Sequence, residues 1–251
     1  MKKINVLLAG ESWVSSSTHF KGWDFFSSTV YETGIEYMEN AFQGTEIHLL
    51  HMPGHIAAKE FPLTIDELQK YDVVFLSDIG ANTLLLHPDT WLKGKSVNNR
   101  LQLLAEWVEE GGGLCMCGGY YSYSGIYGAA KYYRSPLEPV LPVDIHTFDD
   151  RVETPQGALP TIVDENHAVI KGMEKEWPHL LGYNELKIKS NAHLIAQIGG
   201  HPLLSVMEVG KGRSLSWASD IGPHWCPVEF AEWQGYKQLW VNIVNWLARE
   251  T

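Results

Sequence analysis

The sequence predicts an α/β fold with a mostly parallel sheet that is covered on both faces. Short apolar runs alternate with amphipathic helical periods, and the runs are apolar throughout rather than at every second position. The chain has 251 residues, 45% of them hydrophobic and 20% charged, which suffices for one continuous core. We therefore expect a single domain over residues 1–251, with an elaborated segment around residues 120–182 that is rich in Tyr, Pro and Gly.

The individual elements follow from these patterns. Apolar runs that end in small or acidic residues predict strands over residues 4–9, 46–51, 72–76, 114–117, 194–198, 203–209 and 214–218. Amphipathic periods predict helices over residues 31–42, 64–70, 99–110 and 236–248. Thr64 is the expected N-cap of the second helix, and three glycines, residues 111–113, end the third.

Charge and cysteine content exclude several classes of function. The formal net charge is −11, which repels nucleic acid and anionic lipid, so neither is an expected partner. No apolar stretch approaches the roughly 20 residues of a transmembrane helix. Cys115, Cys117 and Cys226 are odd in number and lack the spacing of a disulfide scaffold, which indicates free thiols in a reducing, cytoplasmic protein.

Chemistry-bearing side chains follow several predicted strands directly. Because ligands of parallel α/β sheets bind at the carboxyl ends of the strands, these loops are expected to meet at one edge. The residues that they contribute to the predicted cleft are Glu11, Ser12, Asp78, Gly118, Gly119, Asp220, His224 and Trp225. Backbone N–H groups at Gly118 and Gly119, before a helix start, would suit an anionic group.

Cys117 is a candidate nucleophile because it ends a strand and precedes a glycine turn. It would need a histidine to take its proton, for which His224 is the candidate, with Asp220 or Glu229 to orient that histidine. The alternative is that Cys115 and Cys117, which share a face of the strand, both point into the core.

Metal binding is a rival interpretation of the same loops. Carboxylate and imidazole ligands are available from Glu11, His19, Asp78, Asp220 and His224, but no pair has a tight ligand spacing. The two aspartates have an alternative role, which is to cap helix N-termini. The sequence therefore predicts no metal and no cofactor.

Four segments resemble the glutamine amidotransferase-like family of uncharacterised bacterial proteins. They are residues 72–80 (DVVFLSDIG), 111–123 (GGGLCMCGGYYSY), 135–143 (SPLEPVLPV) and 217–225 (WASDIGPHW). The resemblance implies a flavodoxin-like three-layer α/β/α sandwich, related to class I glutamine amidotransferases. Working members carry Gly-x-Cys-x-Gly at the elbow, where this chain has Gly118 or, with a one-residue shift, Cys117. Their His-x-Glu is also absent, since Glu229 lies five residues after His224.

Three hypotheses follow from the sequence. In the first, the chain lacks the standard catalytic triad and binds a small molecule or a partner at the strand-end cleft. In the second, it is a Cys-dependent amidotransferase or hydrolase that uses Cys117, His224 and Glu229. In the third, it is a non-enzymatic homo-oligomer, with the Tyr-rich middle segment as its interface. The sequence leaves open whether that segment is a lid or an interface.

Overall fold

The structure, a computed structural model, describes residues 3–250. Its strands are β1 (Ile4–Gly10), β2 (Ser12–Lys21), β3 (Asp24–Thr33), β4 (Ile47–Met52), β5 (Val73–Ser77), β6 (Gly113–Cys117), β7 (Val143–Asp144), β8 (Arg151–Ala158), β9 (Thr161–Ile162), β10 (Leu180–Asn184), β11 (Lys187–Ile188), β12 (His193–Ile198), β13 (His201–Val209) and β14 (Gly212–Trp217). Its α-helices are α1 (Glu36–Phe42), α2 (Gly54–Glu60), α3 (Ile65–Leu68), α4 (Ala81–Leu85), α5 (Pro88–Lys93), α6 (Arg100–Glu110), α7 (Val228–Ala231) and α8 (Gln234–Leu247).

An eight-stranded sheet, in the order β4-β1-β5-β6-β14-β13-β12-β9, forms the centre of the molecule. The first five strands of this order are parallel to one another. The last three are added in antiparallel fashion, through a hairpin of β13 with β14 and pairings of β12 with β13 and β9. The predicted mostly parallel α/β sheet is confirmed, and the carboxyl ends of β1, β5, β6 and β14 lie at one edge.

Helices cover both faces of the sheet, as the three-layer prediction requires. One layer contains α1 packed against α8, and the other contains α4 packed against both α2 and α6. The centre of the core is aromatic: Trp240 of α8 lies 5.9 Å from Phe75 and 5.7 Å from Trp217, centroid to centroid. Every residue of β5 and β6 is buried, which explains why these strands are apolar at nearly every position.

The predicted helix over residues 31–42 is wrong in its first part. Residues 24–33 form β3, which pairs in antiparallel fashion with β2, and α1 begins at Glu36. The helical period of Tyr31, Ile35 and Met38 is real in sequence, but Val30 and Tyr31 have high β-propensity and pair across the hairpin. We call this hairpin, residues 12–33, the arm.

The arm projects from the body of the protein. Residues 13–33 are all exposed, and contacts with the body lie at its base. There, Ser12 Oγ accepts a hydrogen bond from Gly54 N at 2.8 Å, and the Tyr31 ring meets His55 edge-on at 5.4 Å. The arm leaves and re-enters the body at one point, since Gly34 N donates to Glu11 O at 3.1 Å.

A buried carboxylate connects the two ends of the middle segment. Asp150 accepts hydrogen bonds from the backbone N–H groups of Ser124 and Gly125 and from the Asn184 amide, all at 2.8–2.9 Å. Asn184 ends β10, which pairs with β8. Within residues 3–250, no helix is long and apolar enough to cross a membrane.

Candidate functional site

A cavity of about 410 Å³ opens at the carboxyl edge of the parallel strands. It is lined by Glu11, Trp13, Asp78, Tyr120, Tyr121, Asp220, Gly222, Pro223 and His224. These residues come from the loops after β1, β5, β6 and β14 and from the base of the arm. We call this cavity the cleft. The sequence-predicted residues Glu11, Asp78, Asp220 and His224 therefore lie together in one site.

Three carboxyl groups form the acidic part of the cleft. Glu11 and Asp78 each follow their strand directly, with φ angles of 47° and 43° that turn the chain away from the strand direction. Glu11 is buried and accepts a 2.5 Å hydrogen bond from the Ser77 hydroxyl. Asp78 Oδ1 accepts from Tyr121 N at 2.7 Å, which fixes the turn after β6 against the turn after β5.

Gly119 allows two of these carboxyl groups to come close together. Its φ angle is 133°, and a Cβ on it would lie 2.8 Å from Asp78 Oδ1 and 2.9 Å from Asp220 Oδ1. Any other residue would meet both oxygens inside van der Waals contact and would be strained in its backbone. The glycine is therefore needed for the shape of the acidic site itself.

Burial and mutual repulsion keep protons in the site. Burial, followed by the charges of Asp78 and Asp220, raises the pKa of Glu11 to about 8. Burial and the charge of Asp220 raise the pKa of Asp78 to about 6, although the hydrogen bond from Tyr121 N and the nearby His224 act in the opposite direction. Near neutral pH, Glu11 therefore carries a proton while Asp78 is mostly ionised.

His224 stands at the edge of the cleft with a carboxylate behind it. Its Nδ1 lies 2.9 Å from Asp220 Oδ2, and this hydrogen bond is the main cause of a raised His224 pKa. The same oxygen accepts from Trp225 N at 2.9 Å. The imidazole is stacked on Trp225 and meets the ring of Tyr120 edge-on, so its orientation is fixed on several sides.

Trp225 supports the cleft from behind instead of lining it. The side chain is buried, its ring packs on Gly182, and its Nε1 donates to Glu153 Oε2 at 2.9 Å. Glu153 also accepts from the Tyr120 hydroxyl at 3.0 Å. Ser12 is likewise absent from the lining, because its hydroxyl accepts from the first residue of α2.

The backbone N–H groups after β6 are already used within the protein. Gly118 N donates to Trp217 O at 2.7 Å, and Gly119 N donates to the Asn184 side-chain oxygen at 3.0 Å. No α-helix begins there, since the chain continues in turns as far as residue 125. The expectation that these groups bind an anion is therefore not supported by their geometry.

The proposed cysteine triad is not assembled in the cleft lining. Cys117 is fully buried, its Sγ lies 3.7 Å from that of Cys115, and burial followed by this contact raises the pKa of the Cys117 thiol well above its ordinary value. His224 is paired with Asp220, whereas Glu229 is exposed on α7. Cys117 and Glu229 are both absent from the residues that line the cleft.

Four of the five potential metal ligands line the cleft, and His19 does not. His19 lies near the tip of the arm, where its ring is stacked on Phe26 at 4.7 Å. Among residues 3–250, no group of three or more His, Cys, Asp or Glu side chains is arranged to hold a metal ion.

Sequence reasoning missed the aromatic walls of the cleft and its supporting polar groups. Tyr120 and Tyr121 directly follow the two glycines after β6, a position that could have identified them. Trp13 was missed because the sequence patterns did not predict the arm, to which it belongs. Glu153 lies in β8 and Asn184 ends β10, and no sequence pattern links these residues to the strand ends of the central sheet.

The chain belongs to the GATase1-like family, whose model is described as "Putative glutamine amidotransferase" and matches residues 5–249. It is similar to the cytoplasmic protein STM3548 of Salmonella typhimurium, with 39% identity and a TM-score of 0.93 over 96% of this chain and 98% of that one. For the cytoplasmic protein STM1381 of Salmonella typhimurium LT2, the identity is 40% and the TM-score 0.93 over 97% and 99% of the two chains.

More distant likeness concerns the fold alone. A ThuA-like protein of Parabacteroides merdae has 12% identity and a TM-score of 0.56, over 100% of this chain and 91% of that one. No curated protein sequence has significant similarity to the chain.

Proposed function

We propose that this amidotransferase-like protein binds a small organic cation, such as an amine, in the cleft. The observation that carries the proposal is that Glu11, Asp78 and Asp220 all face one cavity of about 410 Å³, in whose lining His224 is the single basic side chain. A volume of this size suits a small molecule.

The electrostatics of the cleft favour a positive ligand. Mutual repulsion contributes to the raised pKa values of Glu11 and Asp78, so a cation placed among the carboxyl groups relieves an existing unfavourable interaction. An anion would meet the same charges with the opposite result. The rings of Trp13, Tyr120 and Tyr121 supply walls on which an ammonium group can pack through cation–π contacts.

The cysteine-dependent alternative has less support. Nucleophilic attack requires a thiolate, and burial disfavours that form at Cys117. The carboxylate partner of His224 is Asp220, which lies four residues before it, instead of Glu229. A binding protein without the standard triad accounts for these features more directly.

We further infer that the chain acts in the cytoplasm, where the two similar Salmonella proteins are described to be. The net charge of −11 argues against nucleic acid as a partner.

A thermal-shift series tests the cation proposal. A monoamine, a diamine and a guanidine are compared with a neutral polyol and with phosphate. Amines stay cationic below a pH of about 10, whereas Asp78 and Glu11 ionise at about 6 and about 8, so amine stabilisation should increase from pH 5.5 to pH 8.5. Stabilisation by the polyol or by phosphate, but not by amines, would contradict the proposal.

Two matched variants locate the effect. Asp78→Asn removes one cleft charge but keeps an oxygen for Tyr121 N, and Asn tolerates the positive φ angle at this position. We expect it to lower amine affinity at least tenfold. The control, Glu229→Gln, removes an exposed charge on α7 outside the lining and should bind amines as the parent does. Equal losses in both variants would show a nonspecific charge effect.

A further inference from the structure

The arm exposes a large apolar surface that no other part of residues 3–250 covers. Its exposed large side chains are Trp13, Val14, Phe20, Trp23, Phe25, Phe26, Val30 and Tyr31, between 40% and 102% accessible. A fully exposed aromatic side chain presents roughly 200 Å², so together they present on the order of 1,000 Å². A stable dimer needs about 800 Å² from each partner, which the two faces of the arm together can provide.

A hairpin of two strands is marginally stable in water when nothing covers it. The strands of the arm have ten residues each, and beyond the base they pair only with each other in the part of the chain that is described. The outer edges of such a ribbon also carry backbone groups that are free to pair with another strand. The arm is therefore suited to a partner that covers it along its length.

The distribution of side chains along the arm is self-complementary. Aromatic residues lie at the tip (Phe20, Trp23, Phe25 and Phe26), and large apolar residues lie at the base (Trp13, Val14, Val30 and Tyr31). Between them, residues 15–18 and 27–29 are all Ser or Thr, with cross-strand contacts Ser16–Thr29 at 3.3 Å and Thr18–Ser27 at 3.0 Å. When two such arms lie antiparallel, large side chains meet at both ends, and the small ones allow close approach in the middle.

Charge restricts where two copies of this chain can touch, and the arm is one of the few weakly charged surfaces. The whole chain carries −11, so two copies repel each other over most of their surfaces. The arm contains only Lys21, Asp24 and Glu32 as charged residues, with Lys21 opposite Asp24 at the tip and Glu32 at the base. An antiparallel arrangement brings the Lys21–Asp24 pair of one copy towards Glu32 of the other, with Lys21 as the attractive member.

We propose that the arms of two copies pair antiparallel across a two-fold axis, so that the aromatic tip of each arm packs on the base of the other and covers the mouth of its cleft. The base reaches the cleft because Trp13 is part of its lining. Each copy thus contributes side chains to the site of its partner, in an isologous interface. The pairing does not depend on which ligand the cleft binds.

Light scattering on the full chain tests the pairing. The parent should have the mass of a dimer, or of a larger assembly built from such pairs. The tip variant Phe20→Ser/Trp23→Ser/Phe25→Ser should lose this pairing and halve the mass of a dimer. The control Trp91→Ser/Leu92→Ser, which alters an exposed apolar pair on α5, should keep the mass of the parent. All of these side chains are exposed, so each variant should fold, as circular dichroism can verify.

A disulfide experiment tests the antiparallel direction. Val14 and Phe20 share a face of β2 but are separated by about 20 Å along the strand, far beyond the roughly 7 Å between Cα atoms that a disulfide allows. Chains with Val14→Cys and chains with Phe20→Cys, mixed under oxidised glutathione, should form a mixed disulfide dimer. The native cysteines are buried, so they contribute little background.

Several results would overturn the proposal. These are a monomeric parent, an assembly that survives the tip substitutions, or disulfides between two Phe20→Cys tips in place of mixed ones. Cosedimentation of a monomeric parent with phosphatidylcholine vesicles, lost in the tip variant, would identify a membrane surface as the partner of the tip instead.

Discussion

The Nδ1 atom of His224 lies 2.9 Å from Oδ2 of Asp220, four residues earlier in the chain. This pair joins the loop after β14 to the acidic cleft, and it is the main reason for the raised pKa of His224. A histidine paired in this way keeps its proton to a higher pH than a free one does.

Asp220→Asn should lower the His224 pKa, because an amide cannot stabilise the imidazolium as a carboxylate does. The change can be followed by NMR titration of the ring protons. The comparison variant is Glu153→Gln, whose charge is a lesser contributor to the same shift and should have a smaller effect. A His224 pKa that is equal in Asp220→Asn and in the parent would mean that the hydrogen bond has no influence on the titration.

Glu11→Gln should change the dependence of stability on pH. The Glu11 pKa is raised on folding from 4.5 to about 8, so the folded state holds a proton that the unfolded state releases in this range. The stability of the parent therefore falls as pH rises from about 4.5 to about 8, by at most about 1.4 kcal/mol per pH unit for this group.

Gln keeps the hydrogen bond from Ser77 and removes the titration. We expect Glu11→Gln to be more stable than the parent at about pH 8.5, by roughly 2 kcal/mol, and to lose this advantage near pH 4.5. Urea denaturation at both pH values measures the difference. An advantage of the same size at both would exclude the protonated carboxyl as its source.

Gly119→Ala should be strongly destabilising, since its Cβ would lie 2.8 Å and 2.9 Å from two carboxylate oxygens in a backbone conformation that L residues rarely adopt. We expect a loss of about 3 kcal/mol or more in the free energy of unfolding, with loss of cleft binding. Gly200→Ala is the matched control, because Gly200 also has a positive φ angle, but a Cβ on it would meet no atom within 4 Å. It should cost only the backbone strain of about 1–2 kcal/mol.

The cysteines should resist modification in the native protein. All three are buried, and burial raises the thiol pKa of Cys117 and of Cys226 well above the ordinary value. Iodoacetamide at neutral pH should label them at the rate of unfolding, whereas in urea all three should react within minutes. Mass spectrometry identifies the sites, and rapid native labelling of Cys117 would restore the cysteine-dependent hypothesis.

The sheet was predictable because its central strands are buried on both sides and are therefore apolar at nearly every position, as in Val73–Ser77 and Gly113–Cys117. The arm was not, because it has no buried face: neither of its strands alternates apolar and polar residues along its length. Tyr31 even continued the helical period of Met38 and Phe42, which belong to α1. A local pattern of apolar residues cannot distinguish such a strand from a helix unless its partner strand is known.

The acidic part of the cleft could be inferred from position alone, since Glu11, Asp78 and Asp220 follow strands of a parallel sheet. The sequence left open whether His224 pairs with Asp220 or with Glu229, because the spacing of residues in a loop does not fix where a side chain points. It could not be inferred either that the backbone N–H groups of Gly118 and Gly119 already donate hydrogen bonds within the protein. One acceptor, Asn184, comes from a strand 65 residues later in the chain.

The arm begins and ends where Gly34 N meets Glu11 O, so the chain could pass from β1 to α1 without it. None of the eight central strands pairs with the arm, so we expect a longer, shorter or absent arm to leave their order and register unchanged. Evolution can therefore vary the arm as a separate module while the cleft keeps its carboxyl groups. If the arms pair as proposed, related chains with the same central sheet are free to differ in how they assemble.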